Sequence, residues 1–200
     1  MKQLNLLFFT LITMSFSAQE CKKDFEAFFE KQTQEFLSVE KSPLTESDRT
    51  IFESLDYFDY QEDYCVQATF VHTPNEEPFE METSTDRRPV YVKFGELHFE
   101  LNGTKLKLAL YQNPELIKNE EYADYLFLPF GDASNGLETY GAGRFIDFRI
   151  PDTDIVNLDF NQSYNPLCAY NHDYSCPKPP QENMLKVSIN AGVKGVNLKE

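Results

Sequence analysis

The sequence predicts a mostly β fold of the α+β class, an antiparallel β-sandwich or small barrel with N-terminal helices packed at one end. Three observations predict it. Apolar residues recur at helical spacing before residue 55, two-residue alternation takes over after residue 64, and every glycine lies at Gly95 or later, four of the eight between Gly131 and Gly143. The 200 residues, 41% hydrophobic and 26% charged, suit one domain with a real core and exclude a disordered or collagen-like chain. Lys and Arg total 18 against 33 Asp and Glu, a net charge of −15, which argues against nucleic acid and anionic membrane surfaces as partners.

The N-terminal segment comes first. Met1-Lys2-Gln3 is a short basic start, Leu4 to Phe16 is mainly apolar, and Ser15, Ser17 and Ala18 are small. This is the pattern of a secretory signal peptide over residues 1–18, with residues 19–200 as one globular domain, helical over 22–55 and mainly β over 64–190. The apolar run falls short of the ~20 residues that span a bilayer, so no membrane span is expected. Export to a periplasmic or extracellular space follows as an expectation.

From Lys22 to Val39, Phe25, Phe28, Phe29, Phe36 and Leu37 return to one helical face. Ser42-Pro43-Leu44 then turns the chain into a second short helix that Thr45 can cap, ending near Leu55. Strands are predicted at Tyr64–His72, Pro89–Phe94, Tyr125–Phe130, Arg144–Ile150, Asn157–Phe160 and Leu185–Ile189. The strongest local signal is Asn102-Gly103 between two alternating runs. A two-residue turn there pairs Leu101 with Thr104, Glu100 with Lys105, Phe99 with Leu106, His98 with Lys107 and Leu97 with Leu108. His98 then belongs to a solvated strand face.

Four cysteines in an exported chain predict disulfides. Of the three possible pairings, the turn-rich stretch between Cys168 and Cys176 favours closing that ring, leaving Cys21 with Cys65. Zinc at this pair is the competing reading, with His172 between the cysteines. Seven residues separate them, more than zinc spacing uses, so no metal site is assigned.

Chemistry concentrates in two loops, Phe130–Arg144 and Asp159–Pro166. Their glycines permit positive φ, and their polar side chains with Arg144 could form one pocket for a small ligand or glycan. Asp132, Ser134, Asn135 and Glu138 could offer oxygens to calcium, although the twelve-residue loop pattern is absent, so no cofactor is expected. A carboxylate pair such as Asp132 with Asp159 could serve a hydrolase. The remaining alternative is a structural or interaction protein of the cell envelope, in which the same side chains tie loops to the fold.

These segments carry a resemblance. Phe130-Gly131-Asp132, Thr139-Tyr140-Gly141-Ala142-Gly143-Arg144-Phe145, Leu158-Asp159-Phe160-Asn161, Tyr164-Asn165-Pro166, Cys168-Ala169-Tyr170, Cys176-Pro177 and Ala191-Gly192 follow one another in order. Together they resemble the bacterial domain of unknown function 1684, of which this chain looks like a short exported member. Ser163, Leu167 and Val193 depart from that pattern, which usually has Ala, Pro and Glu there. The resemblance implies a shared fold and site but no activity. It coincides with the residues singled out on chemical grounds, so Asp132, Glu138, Tyr140, Arg144, Asp159, Asn161 and Tyr164 are the ligand-binding candidates.

Overall fold

The computed structural model describes residues 3–196, with side chains from residue 19 onward. It is a half-barrel, one curled antiparallel sheet whose two edge strands do not join. The strands are β1 Cys65–His72, β2 Phe79–Glu80, β3 Val90–Leu101, β4 Thr104–Gln112, β5 Tyr125–Phe130, β6 Arg144–Arg149 and β7 Ile155–Asp159. They lie in the order β6-β5-β4-β3-β1-β7, with β2 pairing β3 off this path. Helix α1 spans Gln3–Leu37 and α2 spans Glu46–Ile51. No helix among the described residues is long and apolar enough to cross a membrane. Of the segment expected to be a signal peptide, residues 1 and 2 lie outside the described residues and residues 3–18 are described only as helical backbone.

The hairpin forms with every expected pair, from Leu101 opposite Thr104 to Leu97 opposite Leu108. Asn102 and Gly103 take φ of 50° and 75°, the left-handed pair that a two-residue turn between twisted strands requires. The two runs expected before Asn102 fuse into one strand, β3, which kinks at a register shift between Lys93 and Gly95. Gly95 is needed at this kink, because a Cβ there would stand 2.8 Å from the Val71 carbonyl oxygen. Thr45 caps α2 by accepting from the Asp48 amide at 3.2 Å, and the helix ends at Ile51, short of the expected Leu55.

Leu185–Ile189 is not a strand. Its alternation reports burial, since Ile189 is in the main core and Leu185 and Val187 pack against that core. Its hydrogen bonds, however, go to the irregular chain after β5: Leu185 N donates to Gly131 O at 2.8 Å and Val187 O accepts from Ala133 N at 3.0 Å.

Period-two alternation sorts the sheet's faces. Leu126, Leu128 and Phe130 of β5 with Ile146 of β6 enter the main core, alongside Leu97, Leu108, Leu158 and Phe160. Full burial of each such side chain contributes roughly 1.5–3 kcal/mol relative to exposure. The opposite face carries a smaller aromatic cluster of Met81, Tyr111, Phe127 and Phe145, with Tyr91, Tyr125 and Tyr164 packed on it. A third cluster, including Phe36, Leu44, Leu55, Tyr170 and Val193, fastens α1 to the C-terminal chain. Cys21 is bonded to Cys65, which ties α1 to the start of β1.

His98 sits in a charged network on the sheet surface. Glu96 Oε1 accepts from Lys93 Nζ at 2.7 Å and Lys107 Nζ at 2.9 Å, while Oε2 lies 2.9 Å from His98 Nε2. The Lys93 hydrogen bond is the main cause that holds the Glu96 carboxyl down at about 2, against the upward pull of burial. A carboxyl depressed in the folded state stabilises it above the unfolded value, 4.5, and that contribution is lost as pH falls through about 2. Solvent screens this network, in which His98 and Lys107 are half-exposed, so replacing Glu96 with Gln is expected to cost on the order of 1 kcal/mol at neutral pH and progressively less between pH 4.5 and 2. Urea unfolding at stepped pH measures it, and a difference independent of pH would refute the assignment.

Candidate functional site

The two polar loops do not enclose a pocket. Arg144 has no solvent exposure and crosses the core face of β6, its guanidinium 5.4 Å from the Phe130 ring centroid. It donates to Asp132 Oδ2 at 3.0 Å, to Ile189 O at 2.7 Å, to Val193 O at 3.2 Å and to Ala191 O. Burial pulls the guanidinium below its ordinary value and Asp132 pushes it back up. Asp132 Oδ1 accepts from Ser134 N at 2.8 Å, from Ser134 Oγ and from Ile189 N at 3.1 Å. Both carboxylate oxygens are thus committed inside the protein. Asn135 closes the loop by accepting from Asp132 N at 2.6 Å and donating to Thr139 Oγ1 and Tyr140 O, each at 3.0 Å.

Asp159 is a brace of the same kind at the end of β7. It accepts from the Asn161 amide at 3.0 Å, Asn161 Nδ2 at 2.7 Å and Gln162 Nε2 at 3.2 Å. Burial raises its pKa against these three hydrogen bonds. Asn161 in turn clamps Gln61 in both directions, at 3.0 Å each way. Asp159 does reach a shallow cleft at the open seam of the half-barrel, between β6 and β7, but Asp132 lines neither this cleft nor the cavity described below. Glu138 is exposed, and its carbonyl, not its carboxylate, holds the chain by accepting from Gly195 N at 2.8 Å. Tyr140 turns its hydroxyl to the Cys168 thiol, and burial followed by the two neighbouring cysteines raises its pKa.

The cleft at Asp159 holds about 360 Å³, and of the seven candidates Tyr164 alone lines a second, more enclosed cavity. This cavity, about 430 Å³, lies against the aromatic face of the sheet and is closed by α1 and the chain around residues 165–177. Its size falls in the range of small-ligand sites. Alternation along β6 builds its floor: Arg144 and Ile146 point to the core, so Phe145 and Asp147 point the other way, and Asp147 stands directly opposite Phe127 of β5. Phe127 and Phe145 meet edge to face at 4.7 Å, Phe145 and Tyr164 at 5.9 Å, and Tyr91 leans on Phe127 at 5.7 Å.

Within this apolar floor Asp147 is a positioned acceptor. Its Oδ1 accepts from Tyr125 Oη at 2.7 Å and from Tyr164 Oη at 2.5 Å. Burial and then Asp147 raise the pKa of both tyrosines, so both hydroxyls stay protonated and donate. Asn165, 2% exposed, also lines the cavity; its Nδ2 donates to Tyr170 Oη at 3.1 Å and Lys194 O at 2.9 Å, while Oδ1 is buried without a partner. An orphaned buried acceptor costs roughly 1–3 kcal/mol. Sequence reasoning missed Asp147, although the signal was present: the alternation that buries Phe145 places this carboxylate beside it.

The ring expected from sequence between Cys168 and Cys176 is not closed. Both residues are buried thiols, with Cys168 N donating to Cys176 Sγ at 3.1 Å. Cys176 is anchored instead to the chain after β2: Cys176 N donates to Ser84 Oγ at 3.1 Å, and Ser84 N donates to Cys176 O at 2.8 Å. Burial, and next the Cys168 hydrogen bond, pushes the Cys176 thiol up to about 12, which keeps the attacking thiolate scarce. Glutathione disulfide is expected to close the bridge slowly and stabilise the protein by about 2.5 kcal/mol. Intact-mass analysis with alkylation reads this, and two alkylatable thiols after prolonged oxidation would contradict it. Among the described residues, no group of three or more His, Cys, Asp and Glu side chains is placed to hold a metal.

A family model described as "Protein of unknown function (DUF1684)" matches residues 50–194. No curated protein matches the sequence. Among solved structures, the solution NMR structure of an uncharacterized protein of Haloarcula marismortui is similar, with 31% identity and a TM-score of 0.70. The similarity covers 91% of this chain and 97% of that one.

Proposed function

We propose, for a chain that belongs to the DUF1684 family, that it is an exported binding module which holds a small molecule or glycan in the aromatic cavity beside Asp147. One observation carries the reading: the cavity joins an aromatic floor of edge-to-face and tilted rings to a carboxylate that two tyrosine hydroxyls hold in place. Such a surface takes the apolar face of a cyclic ligand while its acceptors receive hydroxyl or amine donors. The polar loops that carry the family motif serve this site indirectly. Arg144 and Asp132 lock β6 against the chain at 189–193, which fixes the strand that presents Phe145 and Asp147. Export is supported by the signal-like N-terminal segment and by the Cys21–Cys65 bond, which an oxidising compartment preserves.

The test is a ligand-observed NMR screen of amino acids, amines, and mono- and disaccharides against the wild type and Leu167→Trp. Leu167 lines the cavity and is 39% exposed, so the larger side chain fills the mouth without touching the internal braces. Binding is expected in the wild type and at least a tenfold loss in the variant. Undiminished binding by Leu167→Trp would place the ligand elsewhere.

A further inference from the structure

The two cysteines outside the Cys21–Cys65 bond are not equivalent. Both are buried thiols, each 7% exposed, yet Cys176 lines the cavity of about 430 Å³ and Cys168 is not part of its wall. The Cys176 sulfur is thus withdrawn from bulk solvent but open to a molecule that enters the cavity.

Backbone and charge favour reaction at this same sulfur. Cys176 Sγ accepts from the Cys168 amide at 3.1 Å, a hydrogen bond that favours a thiolate. Arg87 is held next to it by Ser175: Nε donates to Ser175 Oγ at 3.2 Å, and a terminal nitrogen donates to Ser175 O at 2.8 Å. Both partners are neutral, so the guanidinium keeps its full charge. Burial, the largest influence, pushes the Cys176 thiol up, while the Cys168 amide and the Arg87 charge pull it down. The Cys168 thiol is within hydrogen-bonding reach of Cys176, and the Tyr140 hydroxyl reaches Cys168 in turn. A sulfur that faces a cavity, with a second thiol in contact beside it, has the two parts that thiol–disulfide exchange requires.

We infer that Cys176 is a modification site for a small disulfide that enters through the cavity, with Cys168 as the resolving thiol. The Cys176 thiolate attacks one sulfur of the disulfide and forms a mixed disulfide, and the departing thiolate takes up the proton that Cys176 lost. Cys168 then attacks Cys176 Sγ, and its proton leaves with the second thiol. The two cysteines are oxidised to a bridge, and the disulfide that oxidises them is reduced to two thiols. The site needs the cavity but not the ligand proposed above, so each reading can fail without the other.

Intact mass and peptide mapping of the native protein test it. Cys168→Ser lacks the resolving thiol and should trap one hydroxyethylthio group on Cys176 from bis(2-hydroxyethyl) disulfide. Cys176→Ser should acquire that group on Cys168 at least tenfold more slowly. The wild type should lose two hydrogens and keep no adduct. A second measurement needs no variant: bis(2-hydroxyethyl) disulfide should oxidise the native wild type at least tenfold faster than bulky glutathione disulfide, and urea should abolish that preference. Modification of Cys168 in Cys176→Ser as fast as that of Cys176 in Cys168→Ser would overturn the inference. Equal native rates with the two disulfides, the mark of oxidation by way of unfolding, would overturn it too, as would no reaction with either.

Discussion

Asp132→Ala is expected to lower the unfolding free energy by about 3–5 kcal/mol, because it strands the Arg144 guanidinium in a dry interior. The pair is fully buried, at 3.0 Å. Three backbone carbonyls remain for Arg144 but bring no negative charge, and the amides of Ser134 and Ile189 lose their acceptor. Arg144→Met on its own leaves Asp132 charged and buried, with a loss of the same order. The double replacement Asp132→Leu with Arg144→Met is expected to cost less than the sum of the single losses, since no lone charge then remains. Chemical denaturation of the four proteins decides the point. A loss below about 1 kcal/mol for Asp132→Ala would show that water reaches the pair.

Gly192→Ala is the second large effect, expected at roughly 3 kcal/mol or more. Gly192 takes φ of 77°, and an added Cβ would lie 2.0 Å from Ser163 Oγ and 2.8 Å from the carbonyl oxygens of Phe160 and Ser163. The serine could rotate away, but the two carbonyls belong to the turn that follows β7 and cannot move alone. Gly192 O also accepts from Phe58 N at 3.0 Å, so the strain passes into the chain that leads from α2 to β1. Gly136 is the control. Its φ is nearly the same, 79°, yet nothing lies within 4 Å of an added Cβ, so Gly136→Ala should cost only about 1 kcal/mol. Equal losses at the two positions would mean that φ alone, and not crowding, makes Gly192 a glycine.

What could be read in the sequence depended on how local the cause was. The Asn102-Gly103 hairpin was legible to the residue because a two-residue turn and a buried face leave one register. The Cys21–Cys65 bond emerged only by elimination, since neither neighbourhood announces the other. Leu185–Ile189 alternates because one side is buried, and alternation does not say whether a neighbouring strand exists to pair with. Asp132, Arg144 and Asp159 looked like a pocket for a similar reason. Crowded polar groups beside glycine have the same signature whether they face a ligand or their own backbone, and here carbonyls at 189–193 and amides at 134 and 161 receive them. The cavity joins Arg87, Tyr91, Tyr125, Asp147 and Tyr174 across long sequence separations, so it exists only once β5, β6 and the chain near 175 have met.

The central claim is that ligand is held on the aromatic face beside Asp147 and that the motif-bearing loops act as braces. Tyrosine-selective NMR tests it most directly, since the chain has 11 tyrosines and no tryptophan. On adding a bound probe, the ring signals of Tyr91, Tyr125 and Tyr164 should shift, while Tyr60, Tyr64 and Tyr140 stay in place. Shifts confined to Tyr140, with Tyr91, Tyr125 and Tyr164 unmoved, would put the site back in the glycine-rich loop and contradict the account.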